Sequence, residues 1–525
     1  MKRLLTAATA TTAALGLLVS SGYWRPGDRV LISDFSEIEA VAASSFKVYA
    51  ATLNGLIIYD RGAGTFDLPQ TRLDGYPSSQ VRFAVADPVG NGVWLGTNDG
   101  WAHYNQDINQ WDSGIIPGGA RDGFLDSQGA VGGFYLQGMA GWYVVQRGGL
   151  AAIPTTTVPP PNRRTGPQSA RALLARAPVV FGMQGRLLTD SRLRTYQFTA
   201  GAMTQDRPNE MFLGTTGLGL LRVDPTSGQG APLSFGLPNQ RASVTVAGPG
   251  GVWTVGSARA GERRALTWVA EDLSKFTINE DALGRGTQVL LAQRMLYVNN
   301  ALWLGTSLGL YQMPTGDGTG HFYDVGAGLP GPNVLSLAKA PDGIWVGTAQ
   351  GLAHVTPEGT VTRMTGYDRA VVALVAQRES LWVGTVDGLA LLAPGSTSPT
   401  LPPELAAAPT LRAPVVALAN TRDTIVVATA DQLGWRNPAD GSWTVLRPRA
   451  PVGTITALAP DAGGVWIAGT GGLVFWDIAH QTFHGVSVPN DIPAAIRDVT
   501  VEGEHVWAAT DAGLVRLSRD AALHR

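Results

Sequence analysis

The sequence predicts an all-β protein of the β-propeller class, and two observations support this prediction. A nine-residue pattern, seen most clearly at Leu302–Leu310, occurs in twelve copies along the chain, and one of the weaker copies starts at Val179. The copies are spaced by about 42 residues on average, which is the repeat length of a propeller blade. Each copy lies among short β-branched or aromatic runs bounded by Gly, Pro, Asp and Asn, as expected for strands joined by tight turns. The pattern therefore predicts about twelve four-stranded blades.

The copy around Trp345 illustrates how one blade is expected to form. An aromatic residue occupies the Trp345 position in ten of the twelve copies, and a small residue such as Gly347 follows on the same face. Large and small side chains arranged in this way can interdigitate between stacked sheets, so Trp345 and Trp101 are predicted to be core residues. The strands of this copy are predicted at Val334–Ala338, Ile344–Thr348, Gly351–Thr356 and Val361–Met364.

The two ends of the repeat region predict how a ring would close. Arg29–Phe35 has the pattern of a strand that precedes the first complete blade. The twelfth copy stops after its third strand, at Gly513–Leu517. A spare first strand and a missing last strand predict that the N-terminal strand completes a blade and removes an open sheet edge.

The number of copies predicts two propellers in tandem, because a single ring typically has about 4–8 blades. A division near residues 284–286 gives six blades plus six, and five plus seven is the alternative. The predicted regions are a signal peptide at 1–21, an N-terminal β-propeller at 22–285 and a C-terminal β-propeller at 286–525.

The N-terminal segment predicts export. Met1, Lys2 and Arg3 form a charged start, Leu4–Val19 is apolar, and small residues follow near Ser21, as in a secretory signal. An uncleaved membrane anchor is the alternative. No later stretch is long enough to cross a bilayer, so the mature chain is expected to have no membrane span. We therefore expect a periplasmic or extracellular protein.

Composition and motifs argue against several classes of function. Charged residues make up 15% of the chain and the net charge is −2, so no basic surplus is available to neutralise a phosphate backbone. Nucleic acid is therefore not an expected partner. No nucleophile elbow and no ordered set of metal ligands is present, and the chain has no Cys. We accordingly predict no catalytic residue, no metal and no cofactor.

With the repeat laid out, the chain resembles the two-component regulator propeller family. The family pattern Leu-Pro-x-x-x-Val-x-x-Leu is matched by Leu329–Leu337, and the Trp-aliphatic-Gly-Thr-x-x-Gly-Leu pattern by Trp345–Leu352. The resemblance implies an extracytoplasmic sensor propeller, several of which respond to oligosaccharides and are attached to a histidine kinase. No span or kinase follows the twelfth copy here, so binding is the property that we expect to carry over.

Short polar residues beside the hairpin after each second strand are the candidate ligand-binding residues. These hairpins and the loops entering each first strand are expected at the same end of a propeller, where residues vary between copies while the strands do not. Turn chemistry alone also explains such residues. The candidates are Asn54, Asp99, Gln350, Asp387 and Asp431.

Two further groups of residues have a structural and a functional interpretation. His103 and His354 occupy the same place in two copies, which favours a packing role over catalysis. Arg259, Arg263 and Arg264 lie in an insertion of the sixth copy, where a solvated loop is favoured over an anion site.

The sequence supports a leading function and two alternatives. The leading hypothesis is an exported, non-catalytic propeller protein that binds a glycan, a small molecule or a protein partner. One alternative is a propeller enzyme, such as a polysaccharide or peptide lyase, with its site at a channel mouth. The other is a scaffold or assembly factor that works through blade edges.

Overall fold

The computed structural model describes residues 24–87, 91–126, 133–159, 166–256, 263–280, 284–285, 288–289, 292–314, 320–448 and 451–525. The predicted signal peptide at 1–21 and Arg259 lie outside these described residues.

Twelve antiparallel sheets form the described part of the chain: ten have four strands, one has three and one is a two-stranded hairpin. We number the eleven larger sheets 1 to 11 in chain order, leaving aside β1, which joins sheet 11. The N-terminal strands are β1 (Arg29–Ile32), which joins sheet 11; β2 (Ile38–Ala43), β3 (Lys47–Thr52), β4 (Gly55–Asp60) and β5 (Thr65–Phe66) in sheet 1; β6 (Val81–Ala86), β7 (Gly92–Thr97), β8 (Gly100–Asn105) and β9 (Gln110–Ile115) in sheet 2; β10 (Asp122–Leu125), β11 (Gly133–Gln137), β12 (Trp142–Gln146) and β13 (Ala152–Thr155) in sheet 3; and β14 (Phe198–Met203), β15 (Met211–Thr215), β16 (Leu220–Val223) and β17 (Gly230–Leu233) in sheet 4.

The C-terminal sheets follow the same plan, and sheet 8 is the three-stranded one. Their strands are β18 (Val244–Gly248), β19 (Gly251–Val255), β20 (Leu266–Ala270) and β21 (Phe276–Asn279) in sheet 5; the small hairpin β22 (Gly284–Arg285) and β23 (Gln288–Val289); β24 (Ala292–Val298), β25 (Ala301–Thr306), β26 (Leu310–Pro314) and β27 (His321–Tyr323) in sheet 6; β28 (Val334–Ala340), β29 (Gly343–Thr348), β30 (Gly351–Val355) and β31 (Val361–Arg363) in sheet 7; β32 (Val371–Gln377), β33 (Ser380–Thr385) and β34 (Gly388–Leu392) in sheet 8; β35 (Ala417–Thr421), β36 (Thr424–Ala428), β37 (Leu433–Arg436) and β38 (Trp443–Leu446) in sheet 9; β39 (Ile455–Asp461), β40 (Gly464–Gly469), β41 (Gly472–Asp477) and β42 (Thr482–Ser487) in sheet 10; and β43 (Ile496–Glu502), β44 (His505–Thr510) and β45 (Gly513–Ser518) in sheet 11.

Helices are few and short among the described residues. They are the α-helices α1 (Ala170–Leu174), α2 (Pro178–Gly182), α3 (Gln184–Leu187) and α4 (Arg519–Leu523), together with 3₁₀ turns at Pro403–Ala407 and Pro409–Arg412. The all-β class is therefore confirmed, and the four strands predicted around Trp345 are those of sheet 7.

The prediction of twelve blades is corrected by the copy at Val179, which is helical. Pro178 occupies the first turn of α2, where its missing N–H costs no hydrogen bond, and the apolar run after it is too short to distinguish helix from strand by pattern. Val180 is buried with Leu173, Leu213 and residues of sheet 4. A helical segment therefore covers one face of sheet 4, where a further sheet was expected.

The predicted role of the N-terminal strand is confirmed. β1 pairs antiparallel with β45, from Arg29 opposite Leu517 to Ile32 opposite Leu514. It is the outermost strand of sheet 11, whose other three strands come from the C-terminal end of the repeat region. The two ends of the chain thus share one sheet, and β45 has no unpaired edge on that side.

Contacts between first strands divide the sheets into two groups, with β43 counted as the first strand of sheet 11. The first strands of sheets 5 to 11 contact one another in chain order, and β43 of sheet 11 in turn contacts β18 of sheet 5. Among sheets 1 to 4, β14 contacts β2, β2 contacts β6, and β6 contacts β10. The predicted boundary between residues 285 and 286 lies at the small hairpin β22–β23, between sheets 5 and 6 of the same group.

The aromatic position of the repeat lies in the core of most sheets. Trp466 and Trp507 are fully buried and Trp94 nearly so, and Trp101 is also buried, as predicted. Trp345 departs from the prediction, because it is only half-buried and lies beside a cavity between sheets 7 and 8. Tyr135 and Trp253 are also half-buried.

Candidate functional site

Antiparallel connectivity assigns a distinct set of loops to each end of a sheet. Since consecutive strands reverse direction, the loop entering the first strand and the hairpin between the second and third strands lie at the same end, which we name the entry end. Hydrogen bonds confirm this: Ala349 N–H donates to Asn333 O at 2.9 Å, and Thr470 N–H donates to Thr454 O at 3.0 Å. The first–second and third–fourth hairpins lie at the opposite end.

Exposed arginine–carboxylate pairs occur at the entry end of the C-terminal sheets. Asp387 lies in the hairpin of sheet 8 and pairs with Arg369, which precedes β32, at 2.7 Å. Asp511 lies in the corresponding hairpin of sheet 11 and pairs with Arg497 of β43 at 2.6 Å. The entry ends of these sheets therefore present charges of both signs to solvent.

Sheets 9 and 2 have related pairs. Asp431 of sheet 9 pairs with Arg447, which follows the last strand β38, at 3.0 Å. In sheet 2, Asn98 of the hairpin accepts a hydrogen bond from Arg82 of β6. Asp431, Arg447 and Arg82 are exposed, so solvent weakens the attraction in each pair.

The five predicted ligand-binding residues all lie in hairpins at the entry end, in two sets. Gln350, Asp387 and Asp431 belong to the consecutive sheets 7, 8 and 9, and their side chains are exposed. Asp99 is exposed in sheet 2, where its backbone oxygen accepts a hydrogen bond from Ile116 N–H at 2.9 Å.

Asn54 differs from the other four because it lies at the junction of the two groups of sheets. Its side-chain amide donates to Asp34 O at 2.8 Å, within the segment that connects β1 to β2. In the same segment, Ser33 Oγ donates to Ala512 O of the sheet 11 hairpin at 3.1 Å. Asn54 therefore supports the connection between sheets 1 and 11, and its ligand role stays a prediction.

The entry ends of both groups meet at this junction. Arg29 donates to Leu73 O at 2.7 Å, and Arg72 donates to Pro493 O at 3.1 Å. Leu73 and Arg72 follow the last strand of sheet 1, and Pro493 lies in the loop that enters β43. These contacts between the two groups are made by loops at their entry ends.

Histidines beside the repeat tryptophan have a packing role, as predicted. His103 lies directly across from Trp94 in the strand pairing, and the two rings stack with centroids 3.9 Å apart. His354 has the same position opposite Trp345, with centroids 4.9 Å apart. Burial lowers the pKa of His103 to about 4, so its ring is neutral at physiological pH.

Two cavities lie at the opposite end of the C-terminal sheets, where the sequence had suggested no site. One, of about 230 Å³, lies between sheets 7 and 8 and is lined by Trp345, Met364 and Arg378. The other, of about 510 Å³, lies between sheets 5 and 11 and is lined by Glu271, Arg516 and others. For this larger cavity, the sequence signal is Arg516, which occupies the strand position that His103 occupies in sheet 2.

Two absences apply to the described residues only. No group of three or more His, Cys, Asp or Glu side chains in the described ranges is placed to hold a metal ion. No helix within those ranges has the length and apolar character to cross a bilayer.

Comparison with known proteins supports the fold class. No family model and no curated protein matches the chain. The chain is similar to PorZ, a surface component of the type-IX secretion system of Porphyromonas gingivalis, with 11% identity, coverage of 94% of this chain and 87% of PorZ, and a TM-score of 0.53.

Two other solved structures are weaker matches. The extracellular domain of the putative hybrid two-component system BT3049 from B. thetaiotaomicron is 14% identical, with coverage of 92% and 68% and a TM-score of 0.45. Virginiamycin B lyase from Staphylococcus aureus is 16% identical over 54% of this chain and 97% of its own, with a TM-score of 0.43. At these identities, the comparisons define a class, an all-β protein of the propeller type, and nothing beyond the fold.

Proposed function

We propose that this chain is an exported, non-catalytic propeller protein that recognises a glycan, a small molecule or a protein partner at its entry end. The observation that supports this proposal is the set of exposed arginine–carboxylate pairs on the hairpins of sheets 8, 9 and 11. The pattern at Leu329–Leu337 further supports a relationship to the two-component regulator propeller family.

These exposed pairs are not needed to explain the stability of the fold. An exposed ion pair contributes roughly 0–1 kcal/mol, whereas the strands between them are buried and supply the packing. Asp387 and Arg369 each keep a side-chain exposure of 60%, so both remain accessible to a partner. Polar side chains on short loops of a rigid frame are the usual components of a recognition surface.

We further propose that sheets 5 to 11 form one seven-bladed propeller, and that sheets 1 to 4 with α1–α3 form a second, N-terminal unit. The series of first-strand contacts that returns from β43 to β18 supports this division. This division places the boundary in the segment 234–243 and not between residues 285 and 286. The resulting numbers of blades are closer to the alternative of five plus seven than to six plus six. Residues 234–525 should then fold cooperatively by themselves and gain stability when a peptide of residues 24–36 supplies β1. Failure of this fragment to fold cooperatively even with the peptide would contradict the division.

A binding screen with entry-end variants tests the functional proposal. The mature protein would be titrated with a panel of oligosaccharides and small polar compounds, and binding would be measured by calorimetry. Asp387→Asn and Arg369→Gln remove one exposed pair with little expected change in folding, so either should weaken binding of a ligand that the panel identifies. The matched control is Arg378→Gln, which removes the exposed pair with Asp423 (3.4 Å) between first–second hairpins of sheets 8 and 9 at the opposite end. Binding that is unchanged in Asp387→Asn and Arg369→Gln would contradict placement of the site at the entry end.

A further inference from the structure

The cavity between sheets 5 and 11 is assembled from three separate parts of the chain. Gly250, Glu271 and Ser274 come from two hairpins of sheet 5, while His505 and Arg516 come from β44 and β45 of sheet 11. The cavity is a depression of about 510 Å³ that is open to solvent on one side. Gly27, just before β1, reaches the same place through its carbonyl oxygen.

Arg516 is a buried cation that lacks a paired carboxylate. The residue is 7% exposed, and its side chain is the direct cross-strand neighbour of Trp507. One terminal nitrogen donates to the backbone oxygen of Glu271, and the other makes only a long contact of 3.4 Å to Gly27 O. Nε has no partner, and no carboxylate among the described residues forms an ion pair with Arg516. Burial lowers the pKa of Arg516, because removal from water disfavours the charge.

A second arginine in the same strand position provides a direct comparison. Arg222 of β16 lies opposite Phe212, as Arg516 lies opposite Trp507. Arg222 is exposed and pairs with the carboxylate of Glu210. The same position of the repeat thus holds a paired arginine in sheet 4 and an unpaired, buried arginine at the cavity.

The acidic side chains of the cavity are directed to other donors. Glu271 Oε1 lies 3.0 Å from His505 Nδ1 and accepts a hydrogen bond from Glu504 N–H at 3.2 Å. Asp272 Oδ1 accepts from Ser274 N–H at 3.0 Å and from Ser274 Oγ at 2.6 Å. These carboxylates leave Arg516 without a direct partner, but their charge remains in the wall. The wall would therefore repel a ligand with several negative charges.

We propose that this cavity binds a small compound with a single carboxylate and a neutral or cationic body, of which an α-amino acid is the simplest example. The carboxylate would accept a charge-assisted hydrogen bond from a terminal N–H of the Arg516 guanidinium. An ammonium group of the ligand would face the carboxylates of Glu271 and Asp272. Because Gly27 contacts the same guanidinium, the ligand would also stabilise the pairing of β1 with β45.

Calorimetric titration of the mature protein with four simple compounds tests this proposal. Glycine carries the carboxylate and the ammonium group, acetate only the carboxylate, glycinamide only the ammonium group, and succinate two carboxylates. Glycine is expected to bind, acetate and succinate more weakly, and glycinamide not at all. Absence of glycine binding up to about 10 mM, or equal binding of glycinamide, would overturn the proposal.

Variants then locate the site. Arg516→Met is expected to weaken glycine binding by at least about tenfold, whereas Arg222→Met, in the same strand position of sheet 4, should leave it unchanged. Loss of Arg516 could also unfold sheet 11, so a second variant keeps the charge. Arg516→Lys should still weaken binding, because an ammonium group lacks the planar, fixed donors of the guanidinium. In the unaltered protein, glycine should slow amide hydrogen exchange in β1. Glycine binding that is unchanged in both Arg516 variants would refute this site. The entry-end variants test a different site, so either proposal can fail without the other.

Discussion

At the scale of single residues, the repeat tryptophan shows how one sequence position acquires different roles. Trp466 is fully buried and its Nε1–H donates to Asp461 Oδ2 at 2.9 Å. Trp382 likewise donates to Gln377. Trp345 has Ala340 at the corresponding place, which has no acceptor side chain, and its ring is half-buried beside a cavity. Sequence pattern alone predicts the aromatic position but not this difference in burial.

The difference in burial predicts different costs of truncation. Trp466→Ala should lower the free energy of unfolding by about 3–5 kcal/mol, the usual cost of a large buried side chain. Trp345→Ala should cost less, about 1–2 kcal/mol, because part of its surface already faces solvent. Denaturant unfolding of the two variants measures both values. Equal costs would contradict the assignment of Trp345 to a cavity wall.

His103 predicts a pH dependence of stability. Its pKa in the folded protein is about 4, below the ordinary value of 6.5, so the folded state favours the neutral ring. Stability from this group is therefore fully present above pH 6.5 and is lost as the pH falls towards 4, by roughly 1–3 kcal/mol in total.

Substitution isolates this contribution. His103→Gln should flatten the decrease in stability between pH 6.5 and 4, measured by thermal unfolding across that range. His321→Gln is the control, because His321 is exposed. If His103→Gln and the unaltered protein lose stability in parallel, the neutral stacked ring is the wrong description.

At the scale of secondary-structure elements, the sequence predicts the limits of strands better than it predicts which elements pack together. The limits of β28–β31 agree with the predicted strands within two residues, because Gly and Asp mark each turn. The helix α2 was predicted as a strand, since five apolar residues fit either structure and only packing on sheet 4 decides. The cavity around Arg516 combines hairpins that are more than 200 residues apart, so no local pattern reveals it.

β1 gives the sharpest prediction at this scale. Its side chains Val30 and Ile32 are buried with Leu514 and Trp507, so removal of residues 22–34 exposes an apolar sheet face and the backbone edge of β45. We expect a lower melting temperature for the truncated chain, and recovery when a peptide of residues 24–36 is added.

A scrambled peptide of the same composition is the control for that experiment. The truncated chain should respond to the native peptide and not to the scrambled one. A truncated chain that melts like the mature protein would show that β1 does not complete sheet 11.

At the scale of the whole molecule, an aromatic cluster and an ionic cluster join the two groups of sheets. Phe235 lies in the connecting segment and contacts Phe35 and Phe66 on one side and Phe276 of sheet 5 on the other. Glu280, after sheet 5, pairs with Arg194 at 2.8 Å and with Arg263 at 2.8 Å. Arg263, predicted to lie in a solvated loop, is thus part of an ionic cluster.

We expect the ionic cluster to hold the segment around Arg194 in place. Burial by itself raises the pKa of Glu280, but hydrogen bonds from Arg194 and Arg263 outweigh it and lower the pKa below its usual 4.5. Glu280→Gln removes the charge and should increase hydrogen exchange in residues 184–196. Glu379→Gln, in an exposed hairpin of sheet 8, is the control and should leave that segment unchanged. Unaltered exchange in Glu280→Gln would contradict a holding role for the cluster.

The central claim is that recognition takes place at the entry end, and hydrogen exchange of the mature protein with and without an identified ligand tests it most directly. We expect slower exchange in the hairpins that contain Gln350, Asp387, Asp431 and Asp511, with little change in the first–second hairpins at the opposite end. Protection confined to the opposite end or to the outermost strands, with the entry-end hairpins unchanged, would contradict it.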